Sequence, residues 1–471
     1  MDIKPSIFIL SLLLLVSGTV SSQEFYTGVD LSYVNELESC GATYKGEDGV
    51  VEDPYKILAS KGAKIVRIRL WHDPLWTNYG NIEDVKVSIA RAKTLGMQVM
   101  LGFHYSDFWA DPGRQWRPGA WESVINYQVL SDSIYHYTLR TLNDLHDENL
   151  VPEFLQIGNE TNGNILQPRN GVDLDEDTPN LNPVDWTRQV SLLQSGINAV
   201  LNFNQSKGTN LKTIIHLANP SVAANWFSSA ISNGLSEFNI IGLSYYPQWH
   251  KLAVREVAGH VKSLKDRFGK EVMIVETGYP WTNNNSGDEA NNVLGDSSGL
   301  FPYSDSFSTE TQKDFLIDLS WLVKESGGLG VIYWEPAWIS TTCQTYWGTG
   351  SHWENATFFD FEGRIHHGAD FLSYDYEVMP ETLNNQPSII LNTIDESNSM
   401  VLYPSLADDK IRLHTNLDAK VEEILDLNGQ SFPIFSYIEN EYLVHHLNPG
   451  VYLFIVSTVN SDRHILKFIK K

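Results

Sequence analysis

The chain is short of cations, short of cysteine and, past its first residues, without a long apolar run. Each shortage narrows what it can do. Lys and Arg number 33 against 58 Asp and Glu in 471 residues, a formal charge of −25. Nucleic-acid binding depends on clustered basic side chains, so this balance argues against that class and suits a neutral or basic polymer. No stretch after the N-terminus has the ~20 apolar residues needed to cross a bilayer. Only two cysteines occur, Cys40 and Cys343, and pairing or two buried thiols both fit that count. A Gly-rich phosphate loop is missing, which speaks against a doubly wound nucleotide-binding sheet. Metal-ligand pairs at H-E-x-x-H spacing are missing too, so His104 and His216 do not suggest a catalytic metal, and no cofactor is expected for catalysis. Finally, all 14 tryptophans fall between Trp71 and Trp353. The chain changes character after that point.

What is present divides into four parts. Residues 1–22 read as a cleaved signal peptide: Lys4, an apolar run from Ile7 to Val16, then the small residues Val20-Ser21-Ser22. The chain is therefore expected to be secreted or held at the cell surface. Residues 23–375 alternate apolar runs with helical segments. The runs are Tyr26–Ser32, Lys64–Leu70, Gln98–His104, Glu153–Asn159, Thr213–Ala218, Ile240–Tyr245, Val272–Glu276 and Gly330–Glu335. Helices are clearest by apolar spacing at Ile82–Leu95, Ser131–Leu145 and Thr311–Lys324. Eight strands with intervening helices predict a (β/α)8 barrel of the α/β class. Residues 376–399 form a polar, Pro- and Asn-bearing linker, and residues 400–471 a small β-sandwich-like module of short alternating strands. Cys40 and Cys343 follow the first and eighth strands, neighbours in a closed barrel, which favours a disulfide across the seam.

In a barrel of this kind chemistry gathers at the C-terminal strand ends. Read in order, those ends carry Asp30, Arg69 with Trp71 and His72, His104 with Asp107, Asn159-Glu160, His216 with Asn219, Tyr245-Tyr246, Glu276 and Trp334-Glu335. Any one of them alone is better explained as a cap or a buried hydrogen bond; together they point to a site. Glu160 and Glu276 end strands four and seven and face one mouth. Two carboxylates so placed can divide the acid and nucleophile roles of glycosidic cleavage. Arg69 is the candidate cation beside Glu276, with a structural ion pair as its alternative. Tyr245 is a candidate donor to Glu276, and Asn159 a candidate holder of a sugar 2-hydroxyl. Trp109, Trp334, Trp338 and Trp347 are candidate platforms for sugar faces, while Trp71 and Trp321 read as structural.

Gly28-Val29-Asp30-Leu31-Ser32-Tyr33, Val66-Arg67-Ile68-Arg69-Leu70-Trp71, His104 through Pro112 and Tyr333-Trp334-Glu335-Pro336-Ala337-Trp338 resemble family 53 glycoside hydrolases, the arabinogalactan endo-β-1,4-galactanases, from about Phe25 to Phe371. The resemblance implies Glu160 as general acid/base and Glu276 as nucleophile of a retaining reaction, with His104, Asp107 and Trp109 among the substrate-binding residues. It implies β-1,4-galactan in type I arabinogalactan as polysaccharide substrate. The same barrel could instead cut mannan or xylan, or serve as a surface glycan-binding protein without chemistry. Glu335 reads as a hydrogen-bonding support outside the catalytic pair. Some relatives hold a structural calcium on the loop matching Asn283–Asp296; here Asp288, Glu289 and Asn291 are the weak candidate ligands, few for an ion that takes six or more oxygens. In the C-terminal module, Leu402-Tyr403-Pro404-Ser405, Glu423 through Gln430 and Leu447 through Leu453 resemble type IX secretion sorting domains of Bacteroidetes. That implies the secretion machinery as a partner. A carbohydrate-binding module is the alternative there, and a monomer is expected.

Overall fold

The structure is a computed structural model. It describes residues 24–384 except 289, 296–306 and 347, and then 400–403, 406–407, 410–415, 419–426, 430–438, 441–458 and 463–470. The expected signal peptide falls wholly outside these residues, and so does most of the expected linker.

The chain divides into two compact units, residues 1–385 and 386–471. In the first, eight parallel strands close into a barrel in sequence order: β1 Tyr26–Asp30, β2 Ile65–Leu70, β3 Gln98–Phe103, β4 Phe154–Ile157, β5 Lys212–Ala218, β6 Ile240–Tyr245, β7 Glu271–Thr277 and β8 Gly330–Tyr333. The (β/α)8 expectation holds. β1 pairs with β8 as well as β2, which closes the ring. The strands are buried on both faces, as strands walled by helices outside and by their own side chains inside must be. Between them run helices such as Ile82–Thr94, Tyr127–Asp147, Trp186–Lys207 and Thr309–Glu325. Their starts follow local chemistry: the Asn81, Asn126, Asp185 and Ser308 side chains accept from backbone N–H groups of the first turn. The second helix begins four residues before the expected Ser131, because Asn126 supplies the cap.

Side chains alternate along a strand with period two, so the barrel interior is layered. Ile65, Met100, Phe154, Ile214, Ile240, Met273 and Ile332 form an apolar cluster in the interior. One step further toward the C-terminal ends come Arg67, Gln156 and His216, all buried. The interior thus turns from hydrocarbon to polar one layer below the mouth. Gly242 occupies that layer on β6, where a Cβ would sit 2.7 Å from Ile214 and 3.2 Å from Val275. Cys40 and Cys343 are joined by a disulfide across the β1–β8 seam, with Cα atoms 5.5 Å apart.

The second unit is all-β. One sheet orders Met400–Tyr403, Lys410–Thr415, Glu441–Leu443 and Phe435–Ile438; the other orders Leu406–Ala407, Arg463–Lys470, Gly450–Thr458, Ala419–Asp426 and Ser431–Phe432. Ile411, Leu413, Val421, Ile424, Tyr442, Phe454, Val456 and Phe468 make its core. No helix among the described residues is long and apolar enough to cross a membrane.

Candidate active site

Glu160 follows β4 through Gly158 and Asn159, and the chain takes an unusual path to place it. Gly158 has φ +78° and Glu160 φ +45°. A Cβ at Gly158 would lie 2.5 Å from Thr161 Cγ2, so glycine is required there. A non-glycine residue in the left-handed region is strained, and such strain concentrates at functional sites. Glu276 reaches the same cavity by another irregularity. Leu243 pairs with Ile274 but Ser244 pairs with Glu276, so Val275 is an extra residue in β7. The bulge lets Val275 fill the apolar interior while its neighbour Glu276 lines the mouth.

Both glutamates open on a cavity of about 670 Å³ whose walls include Arg67, Arg69, His104, Trp109, Asn159, Tyr246, Trp249, Trp334, Trp338 and Trp353. The cation on Glu276 is Arg67, which corrects the expectation of Arg69. Arg67 Nη2 lies 2.7 Å from Glu276 Oε1, and its Nη1 lies 2.7 Å from Asp30 Oδ2. The same guanidinium donates to Asn159 Oδ1 at 2.8 Å and to Gln156 Oε1 at 3.2 Å. Arg69, one layer higher, sits over the rings of Tyr33, Trp71 and Trp109 at 4.6, 4.1 and 4.2 Å, with Glu335 at 3.6 Å. It lines the cavity as the partner of Glu335, the structural pairing that was its alternative. A strand-end reading selects the last arginine; the period-two pattern puts Arg67 on the same inner face as Arg69, one layer deeper, and that was the signal available.

The tyrosine is likewise the neighbour of the one expected. Tyr246 Oη donates to Glu276 Oε2 at 3.1 Å, whereas Tyr245 Oη donates to the Leu252 carbonyl. Tyr245 belongs to the outer face of β6; Tyr246 has left the strand and turns into the mouth. Asp107 is also corrected. Its oxygens accept from the backbone N–H groups of Asp73 and Gly119, so it ties two loops together, and it does not line the cavity. His104 does line it; its Nδ1 accepts from Ala110 N. Asn159 is held by Arg67 and Gln156 at Oδ1 and donates through Nδ2 to the Ala110 carbonyl at 2.7 Å, leaving one amide hydrogen for a ligand. Trp109, Trp334 and Trp338 all face the cavity. Trp249 and Trp353, absent from the expected set, join them, and Trp353 meets Trp334 edge-on at 4.7 Å. Trp347 and Glu289 lie outside the described residues.

The two carboxyls sit in unequal surroundings. Burial first, then the neighbouring charge of Glu276, pushes Glu160 well above the usual glutamate value. Burial also raises Glu276, but Arg67 and the hydrogen bonds of Tyr246 and Ser244 pull it back toward ionisation. The shared proton therefore belongs on Glu160, and the negative charge on Glu276. Burial and the nearby arginines keep His104 and His216 neutral. A carboxyl that keeps its proton beside one that a cation keeps ionised can protonate a leaving oxygen while its partner attacks.

Of the weak calcium candidates, Asp288 and Asn291 fall within the described residues. Asp288 accepts from Ala290 N, Ser351 N and the Ser340 hydroxyl, and the backbone carbonyl of Asn291 meets His352 Nδ1. No group of three or more His, Cys, Asp or Glu suited to a metal occurs among the described residues.

A family model described as Glycosyl hydrolase family 53 matches residues 26–372, the whole barrel. The chain belongs to that family. It is a glycoside hydrolase, and the unequal carboxyl pair lies inside the matched region. Among curated relatives, the arabinogalactan endo-β-1,4-galactanase of Cellvibrio japonicus is 46% identical over 346 residues, 73% of this chain and 89% of the relative. The endo-β-1,4-galactanase of Bacillus subtilis is 31% identical, covering 71% and 77%. Among solved structures, the family 53 catalytic domain of Ignisphaera aggregans superposes with TM-score 0.65 at 32% identity, over 74% of this chain and 95% of that one. The family match ends at residue 372, before the C-terminal unit begins.

Proposed function

We propose that this family 53 hydrolase cleaves β-1,4-galactosidic bonds internally in the galactan of type I arabinogalactan, with retention of anomeric configuration. The observation that carries the mechanism is Arg67 bound to Glu276 while Glu160 is left to burial and like charge. In the first step Glu160 gives its proton to the glycosidic oxygen as a Glu276 oxygen attacks the anomeric carbon, forming a galactosyl ester. In the second, ionised Glu160 takes a proton from water, the water oxygen attacks the same carbon, and Glu276 leaves as carboxylate. Asn159 offers its remaining amide hydrogen to the sugar 2-hydroxyl, and Trp109, Trp334 and Trp338 offer flat faces to neighbouring sugars. The substrate rests on the printed names of the relatives at 46% and 31% identity. No step requires a cofactor.

Around this core we assign residues 1–22 to export, 23–375 to catalysis, 376–399 to a linker and 400–471 to sorting through the secretion machinery, with the enzyme acting outside the cell as a monomer. Deleting residues 400–471 should leave an active enzyme stranded short of the exterior; normal release of the truncate contradicts the sorting role. For the chemistry, Glu160→Gln and Glu276→Gln should each nearly abolish turnover on galactan while leaving binding measurable. The wild type should give a ladder of short oligosaccharides from galactan and none from mannan, xylan or cellulose. Turnover retained by either variant, or products from another polymer, overturns the assignment.

A further inference from the structure

Gln115, in the loop after β3, is buried and reaches the backbone that carries Glu160. Its Nε2 lies 3.1 Å from the Asp111 carbonyl oxygen, 2.9 Å from that of Asn159 and 3.2 Å from that of Glu160. All three neighbours are carbonyls, which only accept, so the amide turns its nitrogen toward them. Two hydrogens meet three acceptors, so at least one hydrogen is shared. The glutamine is itself anchored through its backbone. Its N–H donates to Thr178 Oγ1 at 2.9 Å, and its carbonyl accepts from Gln167 N at 2.8 Å.

We infer that Gln115 is a positioning residue for the acid/base: its amide clamps the carbonyls on either side of the Glu160 Cα and so holds the left-handed backbone that aims the carboxyl into the cavity. The carbonyls of Asn159 and Glu160 flank one Cα, so their relative direction depends on the dihedrals of Glu160. In an extended backbone successive carbonyls point to opposite sides, beyond the reach of one donor. Here Glu160 has φ +45°, and a single nitrogen meets both. A non-glycine residue keeps such a conformation only when its surroundings hold it there. The residues that follow are tied separately. Asn162 N donates to the Glu160 carbonyl at 2.8 Å, and Thr161 N and Oγ1 donate to the His216 carbonyl at 2.9 and 3.1 Å. Glu276 is held by Arg67 and Tyr246. Removing the amide therefore loosens Glu160 while these other ties remain.

This inference rests on the acid/base role proposed for Glu160. The test is Gln115→Met, which keeps the length of the side chain and removes its donors, assayed on two substrates. Galactan needs a proton on its leaving oxygen; a dinitrophenyl galactobioside releases a phenolate that needs none. A carboxyl misplaced by about 1 Å should lower kcat/KM on galactan about a hundredfold. On the dinitrophenyl substrate kcat/KM should stay within about threefold of wild type, because Glu276 is undisturbed. Its kcat should fall about tenfold or more, because the second step lacks its base. Added azide should restore that kcat: the anion attacks the anomeric carbon without a base, Glu276 leaves as carboxylate, and a β-galactobiosyl azide forms. Glu160→Ala is the reference and should show the same pattern more strongly. A folded Gln115→Met enzyme with wild-type activity on galactan, or with equal losses on both substrates and no response to azide, overturns the inference. If Glu160→Ala lacks the pattern, the acid/base role itself fails; if Gln115→Met alone lacks it, only the clamp fails. Should the methionine variant not fold, a crystal structure of the wild-type enzyme decides. It should show the Gln115 amide between the two carbonyls with a positive φ at Glu160, and an amide turned away or an ordinary φ overturns the inference.

Discussion

Replacing Arg67 with lysine separates the two arginines of β2 and tests why the deeper one matters. Arg67 places two different nitrogens 2.7 Å from Asp30 and from Glu276. A lysine ammonium carries its charge on one atom and cannot hold both carboxylates at that distance. A charge-assisted hydrogen bond contributes about 1.5–3 kcal/mol. Losing the one on Glu276 corresponds to a fall of about ten- to hundredfold in kcat/KM, at tenfold per ~1.4 kcal/mol. The sign of the pH effect also follows. Arg67 lowers the Glu276 pKa, so R67K lets it rise and the acid limb of kcat/KM moves to higher pH. R69K is the comparison. Arg69 acts through three aromatic rings and Glu335, so its loss should weaken packing by about 0.5–2 kcal/mol and raise KM, with the acid limb in place. The assay is the pair of pH–rate profiles with thermal unfolding alongside. An R67K enzyme within about threefold of wild type with an unmoved limb, or a limb moved by R69K instead, refutes the assignment.

Tyr246→Phe removes the 3.1 Å bond to Glu276 Oε2 and should lower kcat/KM about tenfold or more while shifting the acid limb upward; an unchanged limb argues against that contact. Glu160→Gln should stabilise the fold at neutral pH. The native state holds a proton on Glu160 that the unfolded chain releases above the ordinary glutamate value of about 4.5, so the wild type loses stability as pH rises through that point and glutamine does not. The difference in Tm should therefore vanish near pH 4 and grow toward pH 7; a constant difference contradicts the raised pKa. Cys343→Ser opens a link spanning 303 residues and should cost about 2–4 kcal/mol, less than so long a loop gives by chain entropy because β1–β8 pairing already joins its ends. A Tm indifferent to the substitution and to reductant rules out a stabilising disulfide.

The barrel was legible because eight buried parallel strands must read as apolar runs, and their turns must carry the residues that leave the core. Glu160 and Glu276 were visible for the same reason: each closes such a run, on strands four and seven, where the two face one mouth. The errors fall where local geometry departs from a plain strand. Tyr245 and Tyr246 are adjacent, and only the turn after β6 decides which of them faces Glu276. Arg67 and Arg69 share a face, and the strand-end rule favours the outer one although the polar layer begins one step deeper. Asp107 looked like a site residue because loop-tying carboxylates and ligand-binding ones occupy the same strand ends. Ser244 could not be read at all: its place opposite Glu276 depends on the bulge at Val275, and an extra residue in an unbroken apolar run leaves no mark in the periodicity. Trp353 and Trp249 come from segments outside the strands, where the chain's return to the mouth is set by tertiary contacts such as the Trp353 indole donating to the Trp334 carbonyl.

The central claim is that Glu276 attacks carbon directly while Glu160 serves first as acid and then as base. Proton NMR of the first products formed from β-1,4-galactan, read before mutarotation, tests it most directly. New reducing ends should appear as the β-anomer and relax to the equilibrium mixture. First appearance of the α-anomer would mean inversion, with a water between the carboxyls and no ester on Glu276.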